Sequence, residues 1–320
     1  MDTEITLLKP GASYNFLKCY EHGKNTVYEF DQVLIENNEF TKKNILNGTY
    51  MLLTNSGHYF HFLKEYVGSY LYYKKHIDDN LKILWVEADW QAPDFHDTNQ
   101  PIEKCFEMLK VDCPEIIKIS LGEFITQNFK IEKLAVIADP GWMILNRSFP
   151  PYEQSLNGCN KELREFIKPL MIEDLLKPKK IFISRKKVSE SLREKKDFKS
   201  ISRYNPEWLE KAIEDFFKIR GYTIIELSGM TIEDQVSYFY NADYVAGQMG
   251  AGLINGIFSK DGTKFVCIKT HKWFHYPYDE DIWQVINAEY EYAELYDKKD
   301  YTEAFSSLYD QLKFTDLGYN

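Results

Sequence analysis

The sequence predicts an α/β fold organised around a parallel sheet, on three observations. Short apolar runs alternate with amphipathic helical patterns from Lys179 to Thr270, and one of those runs closes in a cluster of glycines at Gly247, Gly250 and Gly252. The chain has 320 residues. At about 150 residues per domain this length calls for two domains, each large enough for its own core. A hydrophobic content of 44% with 28% charged residues is ordinary for a globular chain and excludes a disordered one.

The first half begins with an irregular stretch, followed by strands at Thr49 to Leu53, Leu81 to Val86 and Leu134 to Ile137. A helix is expected from Gly57 to His76, with Phe62, Leu63, Tyr66, Val67, Tyr70 and Leu71 as its apolar stripe. At about 100° per residue, His58, His61 and Glu65 then share the opposite face, so three ionisable groups point one way. Such a face is either solvated or functional. Lacking the H-E-x-x-H pattern, it is assigned no metal. Asp139 to Asn160 holds Pro140, Gly141, Pro150, Pro151 and Gly158, a breaker-rich approach to a domain junction, after which a helix over 161–176 crosses over. The expected divisions are 1–165, 166–295 and a C-terminal helical segment at 296–320.

In the second half, KKIFISRKK gives a short strand that ends at Ser184 and Arg185. PEWLEKAIEDFFKIRG puts Trp208, Leu209, Ala212, Ile213, Phe216 and Phe217 on one helical face between Pro206 and Gly221. YTIIELSG is a second strand, and Thr231 with Asp234 three residues later marks the N-cap of a helix that buries Ile232, Val236, Phe239 and Tyr240. YVAGQMGAGLIN then reads as strand, tight turn and helix start, and KFVCIKT as a further strand. A β-α-β-α-β-α-β order argues parallel strands joined by right-handed crossovers, with ligands beyond the strand C-termini. The glycine turn is either a plain connection or an anion site, since glycine permits close backbone approach and free N–H groups open a helix. Its G-x-x-G-x-G order does not match the dinucleotide fingerprint. Phe305, Leu308, Tyr309 and Leu312 stand at helical spacing near the C-terminus.

A net charge of −10 argues against general nucleic-acid binding, because a polyanion would be repelled. The charge is uneven, however: Lys177 to Asn205 carries eleven Lys/Arg against three Asp/Glu, a local +8. Three readings stand for it: a solvated loop, neutralisation of a diphosphate with Arg185 foremost, or a patch meeting a membrane surface that carries a lipid-linked acceptor. Five cysteines with no C-x-x-C indicate neither a disulfide framework nor a zinc site, and they fit a reducing, cytoplasmic compartment. No signal-peptide h-region and no run of 18 apolar residues is seen.

Several of these segments together resemble glycosyltransferase family 61, whose members include polysaccharide-building and O-linked sugar transferases. They are Ser184-Arg185 after a strand, Arg203-Tyr204-Asn205, Glu233-Asp234-Gln235-Val236, and the run Asn241 to Asn255, NADYVAGQMGAGLIN. Asn55 to Glu65, NSGHYFHFLKE, adds the family's aromatic, then histidine, then acidic residue four on. The resemblance spans residues 45 to 295. Members commonly carry a histidine before Gly-Ala-Gly, where this chain has Met249.

The resemblance implies two Rossmann-like domains facing a cleft (the GT-B type), with the C-terminal helix packed back on the first domain. It also implies inversion at the anomeric carbon in a single displacement. The donor is then a nucleotide-sugar, UDP-linked in this reading, and the acceptor a hydroxyl of a glycan or glycoconjugate. Without a metal or other cofactor, the departing diphosphate must be stabilised by arginine, lysine, backbone N–H groups and a helix dipole. Arg185, Arg203, Asn205, Gln235, Gly250, Ala251, Gly252 and Asn255 are the donor-side candidates. His61, assisted by Glu65, is the candidate base, and His58 lies on the acceptor side. Three alternatives are kept open. A metal-dependent GT-A transferase would use Asp279-Glu280-Asp281, a nicotinamide oxidoreductase would explain the glycine turn, and an inactive sugar- or nucleotide-binding module would explain Met249.

Overall fold

The computed structural model describes residues 12–22, 25–35, 43–54, 62–76, 78–87, 102–120, 123, 127–137, 160–187, 190, 205–250, 252–270 and 286–312. The chain divides into two compact units, Met1–Leu163 and Arg164–Asn320. Each carries its own sheet, and the protein is α/β.

The first unit is built on β1 (Ala12–His22), β2 (Asn25–Ile35), β3 (Lys43–Thr54), β4 (Lys82–Glu87), β5 (Ile116–Ser120) and β6 (Asn128–Ile137), in the order β1-β2-β6-β3-β4-β5. β6, β3, β4 and β5 are mutually parallel, whereas β1 and β2 join antiparallel at one edge. The expected irregular start is therefore a long hairpin. The β3–β6 ladder slips between Leu46 and Thr49, where Gly48 takes φ +98° and gives its N–H to the Glu132 carboxylate at 2.7 Å. That is a conformation glycine adopts without strain.

Residues 62–66 form a π-helical turn that runs into α1 (Val67–His76). A single α-helix over 57–76 was expected. Instead the helical phase changes across Phe62–Tyr66, the kind of bulge found often at functional sites. The apolar stripe holds, with Phe62, Leu63, Tyr66, Val67 and Tyr70 buried and Leu71 half-buried. Phe62 and Tyr70 pack edge-on against Phe106 of α2 (Ile102–Met108), at ring separations of 4.9 and 5.1 Å.

α3 (Asn160–Ile167) leads into the second unit through a 3-10 turn at Lys168–Leu170. The helix expected over 161–176 stops there. Pro169 lacks an N–H, and the next backbone groups turn to Asn241, whose side chain accepts from Asp174 N and donates to Ile172 O. The second sheet holds β7 (Lys180–Ile183), β8 (Thr223–Ile225), β9 (Tyr244–Gln248), β10 (Lys264–Lys269) and β11 (Glu289–Glu294), all parallel, in the order β11-β10-β9-β7-β8.

α4 (Glu207–Ile219) buries Leu209, Ala212, Ile213, Phe216 and Phe217 on Phe182, Ala246, Val266 and Ile268 of the sheet. Each large apolar side chain so buried contributes about 1.5–3 kcal/mol, and Phe216→Ala would cost about 3–5 kcal/mol. α5 (Ile232–Asn241) starts at the expected cap, where the Thr231 side chain accepts from Asp234 N. α6 (Tyr301–Gln311) packs on α4 and β11. Its stripe, Ala304, Leu308 and Leu312, belongs to the core around Phe216 and Phe217, and Phe305 lies edge-on to Phe216 at 5.6 Å. These contacts put one face of the C-terminal helix in the core of its own unit.

Candidate functional site

The order β8-β7-β9-β10-β11 makes β7 and β9 the strands between which the chain's progression reverses. In sheets of this type the crevice beyond the strand C-termini at that reversal is where ligands bind. β7 delivers Ser184 and Arg185 to this point, and β9 delivers Gln248, Met249 and Gly250.

Strand ends are fixed here by specific bonds. Ser184 N donates to Ile225 O at 2.8 Å, and its hydroxyl donates to Glu214 at 2.5 Å and accepts from Lys186 N at 3.1 Å. Arg185 is thereby aimed back across the turn, and its Nη1 donates to the Met249 carbonyl at 3.2 Å. Burial pushes its guanidinium below the ordinary arginine range, and the nearby Glu210 carboxylate pulls it back. It stays cationic, and the bond to Met249 engages one of its five N–H donors.

The three glycines answer to different neighbours. A Cβ on Gly247 would lie 3.1 Å from Leu253 Cδ2 and 3.2 Å from Ile183 Cβ, and one on Gly252 would lie 3.0 Å from Ile183 Cγ2. Both are small so that the turn can lie against β7. Gly250 has φ +150°, and its added Cβ would meet Arg185 Nη1 at 3.4 Å. After the turn, Leu253–Phe258 is a 3-10 helix, with Leu253 N already bonded to Gly250 O at 3.1 Å. The expected α-helix with free N–H groups is thus a six-residue 3-10 segment. Arg164 closes its far end, with Nη1 donating to Ile257 O and Ser259 O at 2.6 and 2.8 Å and Nη2 reaching Asp261 at 3.2 Å.

Among the other donor-side candidates, Asn205 is only 1% exposed and donates to Gln248 Oε1 and, at 3.4 Å, to Glu210 Oε1. Gln235 and Asn255 hold each other: Asn255 Nδ2 donates to Gln235 Oε1 at 2.8 Å, and Gln235 Nε2 donates to Met230 O at 3.1 Å. This pair ties α5 to the 3-10 helix after the turn. Met249 is buried, and its backbone carbonyl is what meets Arg185. Arg203 and Ala251 lie outside the described residues, as do His58, His61 and the Asp279 to Asp281 run. Glu65 sits on the π-helical turn, and His58 and His61 fall in the segment between β3's end at Thr54 and that turn.

Two residues that hold Asn205 beside the strand ends escaped the sequence reading. Glu210 is 3% exposed on the core side of α4, and Gln248 ends β9. A signal existed for Glu210, since a carboxylate next to Leu209 and three before Ile213 falls on an apolar stripe, where a charge is rarely buried without a partner.

A parallel sheet with a guanidinium held over a glycine turn at its reversal point defines an α/β protein of the class whose ligands bind beyond the strand C-termini. Residues 59–266 match the family model Glycosyltransferase 61, more than half of the chain. The chain belongs to that family and is a glycosyltransferase, which entails in general a sugar donor and a glycan acceptor. No curated protein matches it in sequence.

Proposed function

We propose that the chain is an inverting glycosyltransferase that moves a sugar from a nucleotide-sugar, a UDP-sugar in the first instance, to a hydroxyl of a glycan or glycoconjugate. The observation that carries this reading is Arg185, bonded to the Met249 carbonyl beside Gly250 at the C-terminal ends of β7 and β9. A guanidinium there presents further N–H groups in a fork that matches diphosphate oxygens. Arg203 adds charge, Asn205 and Glu210 hold the floor of the crevice, and Gly250, Ala251 and Gly252 let a phosphate approach the backbone. Gln235 and Asn255 keep the following 3-10 segment in place. The units adopt the GT-B arrangement in this reading.

His61 takes the proton of the acceptor hydroxyl as that oxygen bonds to the anomeric carbon. The bond from that carbon to the diphosphate breaks, and the diphosphate leaves with the electron pair. Glu65 orients His61, and His58 lies on the acceptor side. Charge on the leaving group is met by Arg185 and backbone dipoles without a metal ion.

Thermal-shift screening of nucleoside diphosphates, followed by transfer assays with and without EDTA, tests this. Ligand at 100 times its Kd adds about 2.7 kcal/mol of stability. If no nucleoside diphosphate stabilises the protein, the reading falls. Activity that vanishes with chelator and returns with manganese supports the GT-A alternative. Donor binding without transfer or hydrolysis supports an inactive module, the alternative that Met249 favours.

A further inference from the structure

Between α3 and β7, residues 171–179 cross the surface of the second unit without regular secondary structure, yet they are tightly fixed. Lys177 N donates to Asp174 O at 3.1 Å, so Asp174–Lys177 is a hydrogen-bonded turn with Leu175 and Leu176 at its two corners. The Asp174 carboxylate accepts from Leu176 N at 3.0 Å, and buried Asn241 grips the approach through Asp174 N and Ile172 O. Turn corners ordinarily carry Gly, Asn, Asp, Ser or Pro. Here they carry leucines that are 86% and 94% exposed, and Ile172 beside them is 67% exposed. A loose loop could fold such side chains away, but this turn is bonded so as to hold them out.

The charges around the turn are also ordered. Its two acidic side chains are spoken for, Asp174 by the Leu176 amide and Glu173 by Lys260 at 2.9 Å. Lys177, Lys179 and Lys180 follow directly. Lys177 sits over the Tyr238 ring at 4.1 Å and Lys179 Nζ donates to Asn241 O at 3.2 Å, so both are held close to the turn. The lysines open the +8 stretch that continues to Asn205.

We propose that this turn docks the protein on an anionic lipid surface, with Leu175 and Leu176 entering the headgroup boundary and Lys177 and Lys179 meeting the phosphates. Two adjacent, protruding side chains suit a deformable bilayer better than a flat protein face, and basic residues beside an apolar tip are what an anionic leaflet attracts. The surface lies outside the residues assigned to donor and acceptor, so it stands or falls independently of the proposed transfer chemistry.

The test is flotation of the full chain with vesicles of phosphatidylcholine alone and with phosphatidylserine added, using the parent protein and the Leu175→Ser/Leu176→Ser double variant. The parent is expected to float with the anionic vesicles and to be released as salt rises, because the lysine contribution is screened. The double variant should lose at least about tenfold in partitioning, through the lost apolar burial, while keeping the parent's melting temperature and its transfer to a water-soluble acceptor. Three results would overturn the proposal: no flotation of the parent, equal flotation of the double variant, or flotation indifferent to phosphatidylserine and salt. Concentration-dependent dimerisation of the parent that the double variant abolishes, with no flotation, would assign the turn to a second copy of the chain instead.

Discussion

The two sheets each reverse once, and the chain segments that follow the two reversal points differ in their side chains. In the first unit the reversal falls between β3 and β6, and β3 hands the chain to the segment that carries His58 and His61 before the π-helical turn. In the second unit it falls between β7 and β9, which deliver a guanidinium and a glycine turn. Imidazole and carboxylate move protons near neutral pH, whereas arginine and backbone amides neutralise anions without titrating. In the proposed reading, the segment after β3 supplies the proton-transfer groups and the turn between β7 and β9 the phosphate clamp.

The sharpest way to break that division is to remove one side and ask whether the other notices. His61→Ala is expected to lower turnover by roughly 10²–10⁴ with nucleotide affinity unchanged. Turnover near the parent level at saturating donor and acceptor would move the base to Glu65. Arg185→Ala should do the reverse, weakening UDP binding by about 10- to 100-fold, as expected for a charge-assisted bond. Arg185→Lys should recover little of this, because an ammonium cannot bridge Met249 and a phosphate in one plane. Equal affinity in titrations of all three proteins would take Arg185 out of the crevice.

Gly252→Ala probes packing rather than chemistry. Its Cβ would press on Ile183 Cγ2, and overpacking there should cost about 1–3 kcal/mol in denaturant unfolding. A variant as stable as the parent but unable to bind UDP would show that a ligand, not Ile183, demands the glycine.

The smallest effect is expected far from either reversal point. The Asp215 carboxyl is held below its usual range by the hydrogen bond from Lys211 and, against the opposing effect of burial, by one from Tyr301 Oη at 3.0 Å. A lowered folded-state value means its contribution is present above the ordinary aspartate value of about 3.9 and is lost as pH falls through the folded one. Asp215→Asn should flatten the acid limb of the stability curve and change stability at neutral pH by roughly 0–1 kcal/mol.

The second unit was legible where one signal sufficed. The stripe of α4, the Thr231 cap, and the apolar cores of β7, β9 and β10 each declare themselves locally. β11 did not. EYEYAE reads as an acidic surface run, and only the sheet explains it, because Glu289 and Glu294 pair with Lys264 and Lys269 directly across the ladder at 3.3 and 3.8 Å. β1 and β2 carry only a short local signal, the Tyr28-Glu29-Phe30-Asp31 alternation, and their pairing over eleven-residue strands depends on the fold. The site shows the same split. Arg185 and the glycines follow from strand-end position, but the Asn205, Gln248 and Glu210 contacts join residues as far as 43 apart in sequence and so depend on the fold.

Arg164 sets a limit on where the chain can be cut. It is the first residue of the second unit, yet its guanidinium secures the far end of the 3-10 segment that follows the glycine turn. A fragment beginning just after it would keep every strand of the second sheet and lose the fastening of the turn. An excised second unit must therefore start ahead of α3, at or before Asn160, to inherit a crevice as well as a fold.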